Sequence, residues 1–167
     1  MALLTILRYP DPRLRVKAQP VTQIDDNIRR IVEDMYETMY ANHGVGLAAT
    51  QVGIHHRIFV MDVSETRDQK YCAINPEIIS HEGIQTEVEG CLSVGGGIYD
   101  KINRPLKARL RAMDIDGNTY ELEGENLMAA CFQHEINHLD GILFIDHLSR
   151  LKQERIREKV EKSKRRA

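Results

Sequence analysis

The chain is 167 residues long, 42% hydrophobic and 29% charged, with a formal net charge of −2 at pH 7. One domain of this size buries a real core, no apolar stretch has the length of a membrane span, and the near-neutral balance gives no ground for a DNA or membrane partner. The charge is unevenly placed: residues 151–167 hold eight Lys/Arg against three Glu, a basic tail on a body of about −7.

Leu14 to Gln23 contains Pro20 and reads as loop. Asp25 or Asp26 caps a helix in which Ile28, Ile31, Val32, Met35 and Met39 recur at helical spacing, ending near Asn42. Arg57 to Val63 is a strand, Tyr71 to Ile79 another interrupted at Pro76, and Gln85 to Leu92 is weakly strand-like. Lys107 to Leu122 reads as a hairpin. Ala108, Leu110 and Ala112 alternate there with Arg109, Arg111 and Met113, and Asp116-Gly117 supplies the turn. A second helix starts at a cap near Asn126, runs to about Leu139 and stops at Gly141. Ser149 caps a third, whose few apolar positions (Leu151, Ile156, Val160) leave a narrow stripe for packing. Strands and helices come in blocks, which argues an α+β fold over a doubly wound one. A single domain over 1–167 is expected, with a basic C-terminal helix or tail at about 149–167.

Three cysteines, an odd number, do not make a disulfide framework. Met1 to Ile6 lacks the basic start and long apolar run of a secretion signal. Both point to a reducing cytosol, so a cytoplasmic location is expected.

The most informative run is His134-Glu135-Ile136-Asn137-His138. Positions four apart share a helix face, about 6 Å apart along the axis. The two imidazoles can therefore bind one metal ion, and Glu135 can act on a metal-bound water as general base. A hydrolytic site of this kind takes three protein ligands, and the third is open. Position 144 is Phe, where one peptidase pattern needs His. Glu154, Glu158 and Glu161 are candidates from a later helix, or a solvated, salt-bridged face. Cys131 is about 10 Å along the axis from His138 and reads as a small buried residue or pocket wall. Cys72, in an apolar strand, reads as core. Cys91, in Glu89-Gly90-Cys91-Leu92-Ser93, is either a soft anionic ligand on a strand edge or another buried cysteine.

Three segments together resemble the peptide deformylase family. Gly44-Val45-Gly46-Leu47-Ala48-Ala49-Thr50-Gln51 resembles its first motif, Glu89-Gly90-Cys91-Leu92-Ser93 its second, and Gln133-His134-Glu135-Ile136-Asn137-His138 its third. Order and spacing agree over nearly the whole chain. The resemblance implies an α+β fold with antiparallel sheets packed around a central helix bearing the His pair. It implies removal of the N-formyl group from the initiator methionine of nascent polypeptides, releasing formate. Cys91, His134 and His138 would be the metal ligands and Glu135 the general acid/base. Gln51 and the backbone N–H of Leu92 would hold the developing oxyanion. Val45, Leu92, Leu127 and Cys131 would line the methionine pocket. Gly44 and Gly46 would free an edge for the peptide backbone, and Glu89 and Gly90 complete the substrate-side set, with Glu89 holding the Cys91 loop in place.

Two imidazoles and a thiolate suit zinc by coordination chemistry alone. The resemblance implies one divalent ion, Fe2+ natively, with Zn2+, Ni2+ or Co2+ able to substitute. It implies N-formylmethionyl nascent peptides as substrates and ribosome contact through the basic C-terminal helix, whose bland alternative is a solvated helix. The chain also departs from the family pattern. Gly95 stands where the second motif usually has Pro, Ile98 where an Arg follows, and Ala130 where a larger aliphatic residue is common. Gly95-Gly96-Gly97 predicts a loose segment that weakens substrate binding more than turnover. The alternatives are a variant copy with weak or altered activity, a general zinc peptidase using a Glu of the last helix, and a binding protein without turnover.

Overall fold

Helix α1 (Asp26–Ala41) begins where the Asp25 carboxylate accepts the Ile28 N–H, and its stripe of Ile28, Val32, Met35 and Met39 is buried. The computed structural model describes residues 2–166. Its strands are β1 (Gly46–Ala48), β2 (Ile58–Met61), β3 (Tyr71–Glu82), β4 (Gln85–Glu89), β5 (Asp100–Arg104), β6 (Lys107–Met113) and β7 (Thr119–Glu125). Helix α2 (Leu127–Leu139) and helix α3 (Arg150–Arg166) follow. Five strands form an antiparallel sheet in the order β1-β2-β3-β6-β7, and β4 pairs with β5 in a separate hairpin.

Strand β2 shows why the layers stack as they do. Ile58 and Val60 join the α1 cluster with Met35 and Met39. Phe59 and Met61 point the other way and join Phe132 and Leu139 of α2. The sheet thus lies between the two helices, and a strand buried on both faces reads as an unbroken apolar run. Burying each such side chain is worth roughly 1.5–3 kcal/mol. The arrangement is the expected α+β fold.

Several elements differ from expectation. β3 is not broken at Pro76: the register shifts between Ile74 and Glu77 and the strand continues. Asn75 takes a positive φ of 52° there, and its side chain bonds both the N–H and the carbonyl of Val21. β1 and β5 were not anticipated, and β4 stops at Glu89. Asn126 makes no side-chain cap; it turns the chain into α2 through a φ of 55°. Ser149 Oγ does accept the Lys152 N–H. Of the α3 stripe, Ile156 and Val160 pack against Leu7, Tyr9, Leu14 and Ile98, whereas Leu151 is exposed. Cys72 and Cys131 are buried and all three cysteines are free. No described helix is long and apolar enough to cross a membrane.

Candidate functional site

Beyond its exposed first residue, Leu127, α2 is buried or half-buried and presents His134, Glu135 and His138 toward the turn that follows β4. That turn carries Cys91 and is closed by the Val94 and Gly95 N–H groups, which both donate to the Cys91 carbonyl. One donor atom from each of Cys91, His134 and His138 lies within 4.8 Å of the others. The His138 Nε2 is 3.2 Å from both the Cys91 Sγ and the His134 Nε2.

This donor set fits a metal ion. Two ring nitrogens that face each other at this distance cannot both carry a proton, and a thiolate with two imidazoles is a favoured set for a divalent cation. The charges behind it agree. His134 Nδ1 bonds Glu89 Oε1 at 2.9 Å, which turns its Nε2 lone pair toward the cluster. Burial opposes a charged His134, but the bonds to Cys91 and Glu89 outweigh it and raise its pKa, so a proton on Nε2 competes with a metal ion for that lone pair. Burial and the positive charge of His134 keep His138 neutral, its pKa well below the usual value. The pocket therefore favours one concentrated positive charge among these rings.

Glu89 is itself gripped. Arg104 donates from Nε to Oε2 and from Nη2 to Oε1, at 2.9 and 3.0 Å, and its Nη1 reaches Asn137 Oδ1 at 2.6 Å. Burial would raise the Glu89 pKa, yet the bonds from His134 and Arg104 hold it down to about 2. Both Glu89 oxygens are thus committed within the protein, behind the His ring.

Glu135 is 3% exposed. Burial pushes its pKa up to about 7 against the pull of His134. Its carboxylate lies against Gly46, where a Cβ would collide with Oε2 and crowd Cys131 Sγ. Close approach therefore explains Gly46 better than backbone freedom does. Gln51 is equally fixed. Its Oε1 accepts the Ala48 N–H, so its Nε2 faces Ser93 Oγ at 3.1 Å and Cys91 Sγ at 3.5 Å.

These groups form the floor of a cavity of about 410 Å³. Gly44, Val45, Gly90, Leu92, Leu127 and Cys131 all line it, so every expected site residue but the buried His138 borders this one space. Cys131 is a wall and no part of the donor cluster; its Sγ sits 3.9 Å from the Val45 carbonyl. Glu154, Glu158 and Glu161 are exposed on α3 and outside the cluster. The first motif is buckled from behind: Arg67 donates to the carbonyls of Gly44 and Asp62, and Tyr40 O–H donates to Asp62 Oδ2.

The glycine segment forms a defined turn. Gly95, Gly96 and Gly97 adopt φ of 57°, 61° and 70°, a left-handed run closed by the Ile98 N–H on the Gly95 carbonyl. A proline fits none of these angles. Ile98 is buried beside Val94 and Phe144. Arg104, Ser93 and Asn137 were missed at the sequence level. Ser93 and Asn137 stood inside quoted motifs, whereas Arg104 carried no local signal.

The model of the family described as polypeptide deformylase matches residues 3–154. The chain is 54% identical over 166 residues to the peptide deformylase of Azotobacter vinelandii, covering 99% of this chain and 98% of that one. The crystal structure of a peptide deformylase from Legionella pneumophila superposes with a TM-score of 0.93 at 44% identity, covering 98% of this chain and 96% of that one. That of the Ehrlichia chaffeensis peptide deformylase in complex with actinonin gives 0.94 at 42%, covering 99% of each.

Proposed function

The chain belongs to the polypeptide deformylase family, a family of metal-dependent hydrolases, and from that premise we propose how its own residues remove a formyl group from N-formylmethionyl nascent peptides. The observation that carries the reading is the clustering of Cys91, His134 and the buried His138, with Cys91 and His134 lining one cavity beside Glu135 and Gln51.

Cys91, His134 and His138 are the metal ligands in this proposal, with Fe2+ as the native ion and Zn2+, Ni2+ or Co2+ as substitutes. The bound ion supplies Lewis-acid activation of water and of the formyl oxygen. Val45, Leu127 and Cys131 receive the methionine side chain, and β1, with Gly44 and Gly46, offers its edge to the peptide backbone. A formyl carbon carries only hydrogen, so the floor needs no room for an acyl side chain. Glu135 takes a proton from the attacking water; its burial, which raises its affinity for a proton, suits that transfer and the return. The water oxygen bonds to the formyl carbon, and Gln51 Nε2 and the Leu92 N–H stabilise the oxygen that gains charge. Each such donor is typically worth about 3 kcal/mol of barrier. Glu135 then protonates the methionine nitrogen, the C–N bond breaks, and formate and a free amine leave. Glu89 with Arg104 holds His134 in its tautomer.

Residues 1–167 are taken as one catalytic domain, of which Met1 and Ala167 lie outside the described residues, acting in the cytoplasm. Its basic α3 is proposed to contact ribosomal RNA. Truncation after Ser149 should then abolish co-sedimentation with ribosomes while small peptides are still deformylated.

The deciding experiment is formate release from formyl-Met-Ala-Ser by metal-loaded protein. Formate appearing one-for-one with free amine is expected. Peptide retention without formate would favour a binding protein instead. Metal content of Cys91→Ala and Glu158→Ala separates the general peptidase: the first should lose metal and the second keep it.

A further inference from the structure

Arg8 sits between two hydrogen bonds that tie the N-terminal segment to the site. The Leu7 N–H donates to the Gln51 carbonyl and the Tyr9 N–H to the Ser93 carbonyl, each at 2.7 Å. The guanidinium lies over Gly95, where a Cβ would collide with Nη1. The next arginines along the chain are committed, Arg13 to Asp11 and Arg15 to Asp146. Arg8 has no such partner among the described residues, and it is the one Lys or Arg among those lining the cavity. The two carboxylates of the lining are occupied otherwise: Glu89 by Arg104 and His134, Glu135 on the floor against Gly46.

We propose that Arg8 is a specificity-determining residue that receives a carboxylate of the peptide, an Asp or Glu side chain two residues after the formyl-methionine. The proposal rests on the deformylase reading above. The reacting group lies on the buried floor with Glu135 and Gln51, and the exposed lining residues are Arg8, Gly96, Gly97 and Tyr99 together with His43, Val45, Val88 and Leu127, Arg8 being the only one with a permanent positive charge. An extended chain rises about 3.3 Å per residue, so a residue two further on is about 7 Å beyond the methionine, among those exposed residues. The body of the protein is acidic and repels an acidic peptide at long range. A partnerless cation held at the exit reverses that sign where the peptide passes. The guanidinium fork suits a carboxylate, and its contact with the Gly95 turn places it at the cavity mouth.

The test compares C-terminally amidated formyl-Met-Ala-Glu-Ser and formyl-Met-Ala-Lys-Ser on metal-loaded protein, with formate as the readout. The unaltered protein should favour the Glu peptide by about threefold in kcat/KM at low salt, the scale of an exposed ion pair. The preference should reside in KM and shrink as salt rises. Arg8→Lys should keep it, Arg8→Gln lose it and Arg8→Glu invert it. The ratio of the two peptides within each variant is the measure, because a displaced turn lowers both rates together. A ratio indifferent to the charge at position 8, with formate still released, overturns the Arg8 proposal alone. No formate from either peptide overturns the deformylase reading and this proposal with it.

Discussion

Behind the His134 ring, Glu89, Arg104 and Asn137 close a chain of buried charged bonds. Across the cavity, Gly95–Gly97 and Arg8 are held by a few backbone hydrogen bonds at the protein surface. Each is built around an arginine, but the two arginines live in different media. Arg104 is 5% exposed, and its partners Glu89 and Asn137 are half-buried. Removing one partner of such a buried pair costs about 3–5 kcal/mol, because the other charge stays buried and unpaired. Arg8 is exposed, and an exposed pair is worth up to about 1 kcal/mol. The departure expected at Gly95 falls on the cheap side, and the donor cluster falls on the costly one.

That contrast can be broken from the floor outward. Glu135→Gln should lower the rate of formate release by about a hundred- to ten-thousandfold and leave the bound metal, read by elemental analysis, near one per chain. Turnover close to normal would move the base elsewhere. Arg104→Ala should lose about 3–5 kcal/mol, near 10 °C in melting temperature for a domain of this size. Its metal affinity should fall by about ten- to a hundredfold, since His134 loses its anchored carboxylate. A melting point within 2–3 °C of the parent (about 1 kcal/mol,) would erase the difference between the two walls.

A smaller effect comes from a second buried carboxylate. Burial raises the Asp62 pKa, but the bonds from Ser64 and Tyr40 and the nearby Arg67 outweigh it, and the net shift is downward. A lowered folded-state pKa stabilises the protein above the unfolded value of about 3.9 and is lost as pH falls through the folded one. Asp62→Asn should therefore cost stability at pH 6 and make the urea midpoint fall less steeply below pH 4. An acid limb of unchanged slope would show that Asp62 is not a linked group. Smallest of all, Gly95→Ala should cost about 1–2 kcal/mol for its left-handed φ and raise KM for formyl peptides more than it lowers kcat. An unchanged KM would make the turn a bystander to binding.

The contrast also explains what the amino-acid sequence disclosed. α1 and α2 were legible because their signals are local: helical spacing with an Asp cap in one, two His four apart in the other. β2 was legible as an apolar run. β1 was not, since Gly-Leu-Ala is too short to show alternation, and β5 was not, since Asp-Lys-Ile-Asn-Arg offers one apolar residue. Arg104 ends that strand and is buried only because Glu89 waits on the adjoining β4. Nothing within fifteen residues of it tells a buried arginine from a solvated one. Three consecutive glycines were read as slack, because composition reports freedom and not the angles at which that freedom is used. Pro76 was read as a break, because the register shift that absorbs it depends on the partner strand.

Strand β1 is three residues long and lies at the outside of its sheet. Its outward main-chain groups are a rail of about 10 Å, enough for two or three residues of an arriving chain. A rail made of main chain asks nothing of the traveller's side groups. In the proposed reading, such a rail holds the head of a peptide by its main chain and leaves the discrimination among the residues that follow to Arg8 at the cavity mouth. So short a rail also gives a stray strand too little purchase to start an aggregate.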